Sequence, residues 1–85
     1  MPDYNGYKSW NQWNVSLHIN NDEELYAAAM NIAARYPRAR DSAARHMLGW
    51  LKDTGRTHTS DGAPYSLEGV KAAMVGMAPA KSTNA

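Results

Sequence analysis

The feature that most constrains this 85-residue chain is its shortage of ordinary core material. Leu, Ile, Val and Phe together supply only ten residues, and Phe is absent. An aliphatic count this low is typical of chains that stay unfolded. Disorder by composition also needs high net charge and few aromatics, whereas this chain has a formal net charge of +1 and eight Trp and Tyr residues. The chain is therefore expected to fold as one domain, with Ala residues allowing close helix contacts and Trp, Tyr and Met filling the volume. A chain this short hides only about 60 to 65% of the surface its unfolded form exposes, so its stability margin is small. There is no Cys to staple the fold or to form a thiolate site. The core must stand alone or lean on a partner or a second copy.

Punctuation along the chain sets the elements. Residues 1 to 8 read as an irregular lead, with Asn5-Gly6 as a turn and Tyr4 and Tyr7 free to pack back on the body. Ser9 is placed to cap a first helix over about residues 9–19. On it Trp10, Trp13 and Leu17 share one side while Val15 and Ile19 lie nearly opposite, so both sides need cover and the helix should sit centrally. Trp13, Val15, Leu17 and Ile19 also alternate with polar residues, the period of a half-buried strand. The helix is preferred because no second run alternates well enough to pair with such a strand and take its hydrogen bonds.

Asn20-Asn21-Asp22-Glu23-Glu24 is a break and restart, with a cap and two acids in the first turn where the helix dipole favours them. The second helix is expected over about 22–36, with Leu25, Ala29, Ile32, Ala33 and Tyr36 inward and Pro37 ending it. Asp41 or Ser42 should cap a third helix to about residue 53, with Ala44, Met47, Leu48 and Leu51 at core spacing, Trp50 beside them and Gly55 as the stop. A polar loop turns at Asp61-Gly62. A fourth helix is expected over about 66–77, with Leu67, Val70, Met74 and Met77 on one face, and residues 80–85 form a frayed tail. The fold class is thus all-α, a compact bundle of about four short helices.

No constellation for catalysis emerges. His18, His46 and His58 fall on different elements, without the i, i+3 or i+4 spacing that builds a metal site. The acids at 22–24 are explained by a helix start, and adjacent helix positions point apart. The serines lack the glycines of a nucleophile elbow, and there is no Gly-rich phosphate loop. No enzyme activity and no cofactor are expected. Neither a signal-peptide pattern nor an apolar run of spanning length is present, so a cytoplasmic location without membrane contact is expected.

Above that background stands a basic stretch. Arg35, Arg38, Arg40, Arg45, Lys52 and Arg56 face only Asp41 and Asp53, a local net charge of +4. Arg38, Arg40, Arg45, Lys52 and Arg56 are the candidate partner-binding residues, an electrostatic footprint for an acidic protein surface or for nucleic acid. The competing explanation is an ordinary solvated helix face, and the whole-chain pI of about 8.1 is low for a nucleic-acid binder. Tyr4, Tyr7, Trp10 and Trp13 could form a stacking platform or an interface anchor. In a chain without Phe they are expected in the core.

The stretch from Tyr4-Asn5-Gly6-Tyr7 through Trp13-Asn14-Val15-Ser16-Leu17-His18-Ile19-Asn20-Asn21-Asp22 resembles a group of small proteins of bacteriophages, plasmids and other mobile elements. Their opening has a Tyr-Asn-Gly-aromatic turn, a Trp-Asn-Val-x-Leu-Trp-Ile helix and Asn-Asp. Asp61-Gly62-Ala63-Pro64-Tyr65-Ser66 is similar in style. This chain departs from the pattern at Trp10-Asn11-Gln12 and at His18. The resemblance implies a mobile-element accessory protein in a bacterial host cell, of the kind that includes inhibitors of host defence such as anti-CRISPR and anti-restriction proteins. The implied partner is a host protein or ribonucleoprotein complex. Nucleic-acid binding, a virion or assembly role and a homodimer are the alternatives.

Overall fold

The computed structural model describes residues 6–75 and 77. It is an all-α bundle of four helices: α1 (Trp10–Asn21), α2 (Glu23–Arg35), α3 (Arg40–Asp53) and α4 (Leu67–Ala73). Helix, and not strand, is therefore the state of residues 13–19. α1 packs most extensively on α4, and the α3–α4, α1–α2 and α2–α3 contacts complete a ring in chain order. The expected tail at 80–85 and Tyr4 of the lead lie outside the described residues.

Local signals account for most helix ends. The Ser9 side chain accepts from the Gln12 N–H, and Asp22, in extended backbone, accepts from the Leu25 N–H. Ser66 caps α4 by accepting from the Gly69 N–H at 3.0 Å. α3 ends in a Schellman turn: Gly55, at φ +81°, donates its N–H to the Lys52 carbonyl, and the Arg56 N–H reaches the Leu51 carbonyl at 2.8 Å.

Two boundaries differ from the sequence expectation. α3 begins at Arg40, with Ala39 in the cap position and no side-chain cap. Asp41 is drawn instead into an ion pair with Lys71 of α4 at 2.6 Å, so it serves tertiary packing from inside the first turn. α4 is shorter than expected, because Met74 closes it with N–H contacts to both the Val70 and Lys71 carbonyls, the tightened geometry of a last turn.

The core is built as composition requires. Val15, Ile19, Leu25, Ala29, Ile32, Ala43, Ala44, Met47, Leu51, Val70, Ala73 and Met74 are buried together, with Tyr36, Leu48, Trp50, Tyr65 and Leu67 packed against them. Small residues let helices approach. At Gly69 an added Cβ would lie 2.9 Å from Asn11 Oδ1 and 3.0 Å from Val15 Cγ2, so the α1–α4 contact depends on a missing side chain.

The aromatic residues of α1 do not join this core. Val15 and Ile19 are fully buried, whereas Trp10 is 40% and Leu17 38% exposed and Trp13 is half-buried. The expectation that the Trp side is core fails because α2 and α4 cover α1 on its Val15–Ile19 side, and among the described residues no fifth helix covers the other.

Candidate functional site

Helix spacing and turn geometry decide what the basic stretch can do. Arg38 sits in the turn between α2 and α3, Arg40 opens α3, and Arg45 and Lys52 follow along it; all four are exposed. Arg45 and Lys52 are seven residues apart, which brings them to within about 20° of each other around the helix and about 10 Å apart along it. The buried stripe of α3 is Ala43, Ala44, Met47 and Leu51, so Arg45 and Lys52 occupy its outward side.

At the start of α3 a shallow cleft of about 470 Å³ opens between the 36–39 turn, the first turn of α3 and α4. Arg38, Arg40, Asp41 and Lys71 line it, with Tyr36 and Met74 among the less polar walls. The Lys71 ammonium donates to the Asp41 carboxylate, and that bond, reinforced by its charge, holds Asp41 below the usual carboxylate value and Lys71 above the usual lysine value. The first-turn N–H groups of α3 have no side-chain cap, so positive helix-end charge adds to Arg38 and Arg40.

Arg56 belongs to a different arrangement. Its guanidinium donates to Glu24 Oε1 at 2.7 Å and lies 5.3 Å from the centre of the Trp50 ring, tying the C-terminal end of α3 to the start of α2. Of the five candidate residues, Arg38, Arg40, Arg45 and Lys52 therefore form one exposed series, and Arg56 is engaged within the fold.

Histidines are dispersed as single contacts. His18 Nε2 lies 3.0 Å from Asp61 Oδ2, His46 Nδ1 lies 3.2 Å from the Tyr36 hydroxyl, and His58 Nδ1 lies 3.0 Å from Thr57 Oγ1. Among the described residues no three His, Asp or Glu side chains are grouped to hold a metal ion, and no helix is long and apolar enough to cross a membrane.

Two features escape a reading by composition. One is the polar stripe Asn11, Asn14 and His18 on α1, which receives the 57–66 loop. Asn11 donates to the Pro64 carbonyl at 2.8 Å and accepts from Ser66 Oγ at 2.7 Å. Asn14, 1% exposed, accepts from Thr59 Oγ1 at 2.6 Å and donates to Asp61 Oδ2 at 3.0 Å. Their i, i+3, i+7 spacing is the signal that could have revealed the stripe. The other is the outward seam Trp10, Trp13 and Leu17, whose spacing is visible in sequence but whose exposure depends on where α4 docks.

An all-α four-helix bundle with an exposed basic series and an exposed aromatic seam is the class of protein that the described residues define. Residues 1–79 match a family of unknown function, DUF7249, and the chain belongs to that family. No curated protein and no solved structure gives a match.

Proposed function

We propose that this protein acts by occupying a surface of another macromolecule and has no catalytic activity of its own. The observation that carries the reading is the exposed series Arg38, Arg40, Arg45 and Lys52 along α3 and the turn before it. Asp41, the acid nearest the head of that series, is already neutralised by Lys71 at 2.6 Å, so the cations are left to face outward. Such an edge suits an acidic protein surface, and it steers association more than it fixes final affinity. Together with the resemblance of the Tyr4–Asp22 stretch to mobile-element proteins, this supports an accessory protein of a phage or mobile element, working in the host cytoplasm. Its action would be to inhibit or modulate a host machine, as anti-CRISPR and anti-restriction proteins do.

Retention of a specific host protein from lysate by the tagged chain, unchanged by nuclease, is the expected result. Arg38→Glu with Arg45→Glu is expected to reduce that retention by at least tenfold; undiminished retention by the double variant would overturn the assignment of the basic edge. A second reading, direct DNA or RNA binding, is favoured by the two-turn alignment of Arg45 and Lys52 beside the cationic head of α3. It requires nuclease-sensitive retention and a steep salt dependence, close to one unit of log–log slope for each neutralised phosphate.

A further inference from the structure

We infer that the outward face of α1 is a self-association surface, and that a second copy of this chain packs on it antiparallel through Tyr7, Trp10, Trp13 and Leu17. This face is separate from the basic edge. Three observations point to a copy of the same chain.

The first is charge. α1 is WNQWNVSLHINN, with no Asp, Glu, Lys or Arg in 12 residues, in a chain where 20% of residues are charged. A two-fold contact sets the same patch against itself, so any charge near the axis meets its own sign. The polar residues of the groove beside the seam are Ser16, Asn20 and Asn21, whose hydroxyl and amides both donate and accept and can pair with their own copies. On the other flank the Asp61 carboxylate is already bonded to Asn14 and His18.

The second is polarity at the ends. Lys8 lies just before the Ser9 cap, and Asp22, Glu23 and Glu24 follow the last turn; all are exposed. Among the described residues neither Lys8 nor Glu23 is held in an ion pair. Antiparallel pairing brings the Lys8 end of one copy to the Glu23 end of the other, twice per dimer. Parallel pairing would set like charges together.

The third is shape. Trp10 is the most exposed residue of the seam. Beside it the face carries a groove of about 290 Å³ lined by Tyr7, Trp13, Ser16, Leu17, Asn20 and Asn21. With the two-fold axis level with Val15–Ser16, the midpoint of α1 and the register that sets Lys8 against Glu23, Trp10 of one copy falls opposite Asn21 of the other, at one end of that groove. The seam is then filled twice by the same side chain, and α1 becomes central with cover on both sides. The helix is about 18 Å long, which gives an interface at the small end of specific contacts and a dimer that dissociates on dilution.

Sedimentation equilibrium of the full chain across micromolar to millimolar concentration tests this. A monomer–dimer equilibrium is expected. Leu17→Lys, at an exposed site, is expected to give a monomer at every concentration with an unchanged circular dichroism spectrum. Lys8→Glu is expected to weaken the dimer by about tenfold, and Lys8→Glu with Glu23→Lys to restore it, since the swap re-pairs both ends. The basic-edge variant Arg38→Glu/Arg45→Glu should dimerise normally, which separates this test from that of partner binding. A wild-type chain that stays monomeric to millimolar concentration, or a dimer that survives Leu17→Lys, would overturn the proposal.

Discussion

Asn14 shows how one side chain can hold a loop. It is buried against the 57–66 segment, accepts from the Thr59 hydroxyl at 2.6 Å and donates from its amide nitrogen to the Asp61 carboxylate at 3.0 Å. Thr59 is itself buried and also accepts from the Ala63 N–H at 3.0 Å, so removing Asn14 strands a hydroxyl away from water. Leaving a buried polar group unpaired costs more than a hydrogen bond contributes on average. Asn14→Ala is therefore expected to destabilise the fold by about 2 kcal/mol in urea denaturation, with amide exchange rising first in residues 57–66. A loss below about 0.5 kcal/mol would mean that water replaces the amide. At this scale the sequence was legible only in part. Asn14 reads as one more surface amide in a helix, because its partners lie 45 and 47 residues away and no local pattern announces them. The caps at Ser9 and Asp22 were legible because their partners are three residues on.

Among the helices, α3 departs most from local rules. It has a complete Schellman stop at Gly55 but no cap at its start, where Ala39 holds the cap position. The sequence offers Asp41 or Ser42 for that role. The helix instead opens at Arg40, one residue before Asp41, because Asp41 finds Lys71 across the α3–α4 contact. A short-range cap lost to a long-range ion pair cannot be read from residues 37–42 alone. The cost of the missing cap is recoverable: Ala39→Ser supplies an acceptor for the free first-turn N–H groups. It is expected to raise stability by about 1 kcal/mol, read as an upward shift of Tm without change in spectrum. A neutral or negative effect would show that the Ala39 backbone cannot present the hydroxyl. α1 gives the complementary lesson, since its two apolar sides were visible in sequence and helical spacing was correctly preferred over alternation. Which side the chain itself covers is fixed only when α4 docks at Gly69, whose missing Cβ lets Val15 in.

Across the whole molecule, two carboxylates clasp elements that come together late in the chain. Asp61 binds the loop to α1, where hydrogen bonds from Asn14 and then from His18 hold its carboxyl below the usual value. Asp41 binds α3 to α4, held low by the hydrogen bond and charge of Lys71, whose own value is raised by the same contact. A carboxylate with a depressed folded-state pKa contributes stability that is present above its unfolded value and is lost as pH falls through the folded value. Lys71 contributes the opposite limb: its share is present below the unfolded lysine value and disappears as pH rises through the raised one. The Asp41–Lys71 clasp is therefore closed between the carboxylate and lysine ranges, and acid opens both clasps below about pH 4. Both groups are solvent-accessible, so salt should weaken the effect without abolishing it. Thermal unfolding followed from pH 7 to pH 2.5 should show Tm falling in the acid limb. Asp61→Asn combined with Asp41→Asn should start from a lower Tm at pH 7 and fall less steeply. An acid limb as steep in the double variant as in the parent chain would show that neither clasp governs the pH response. In that case the stability of the bundle rests on its apolar contacts, with the α1–loop and α3–α4 junctions held by packing around Val15, Val70 and Met74.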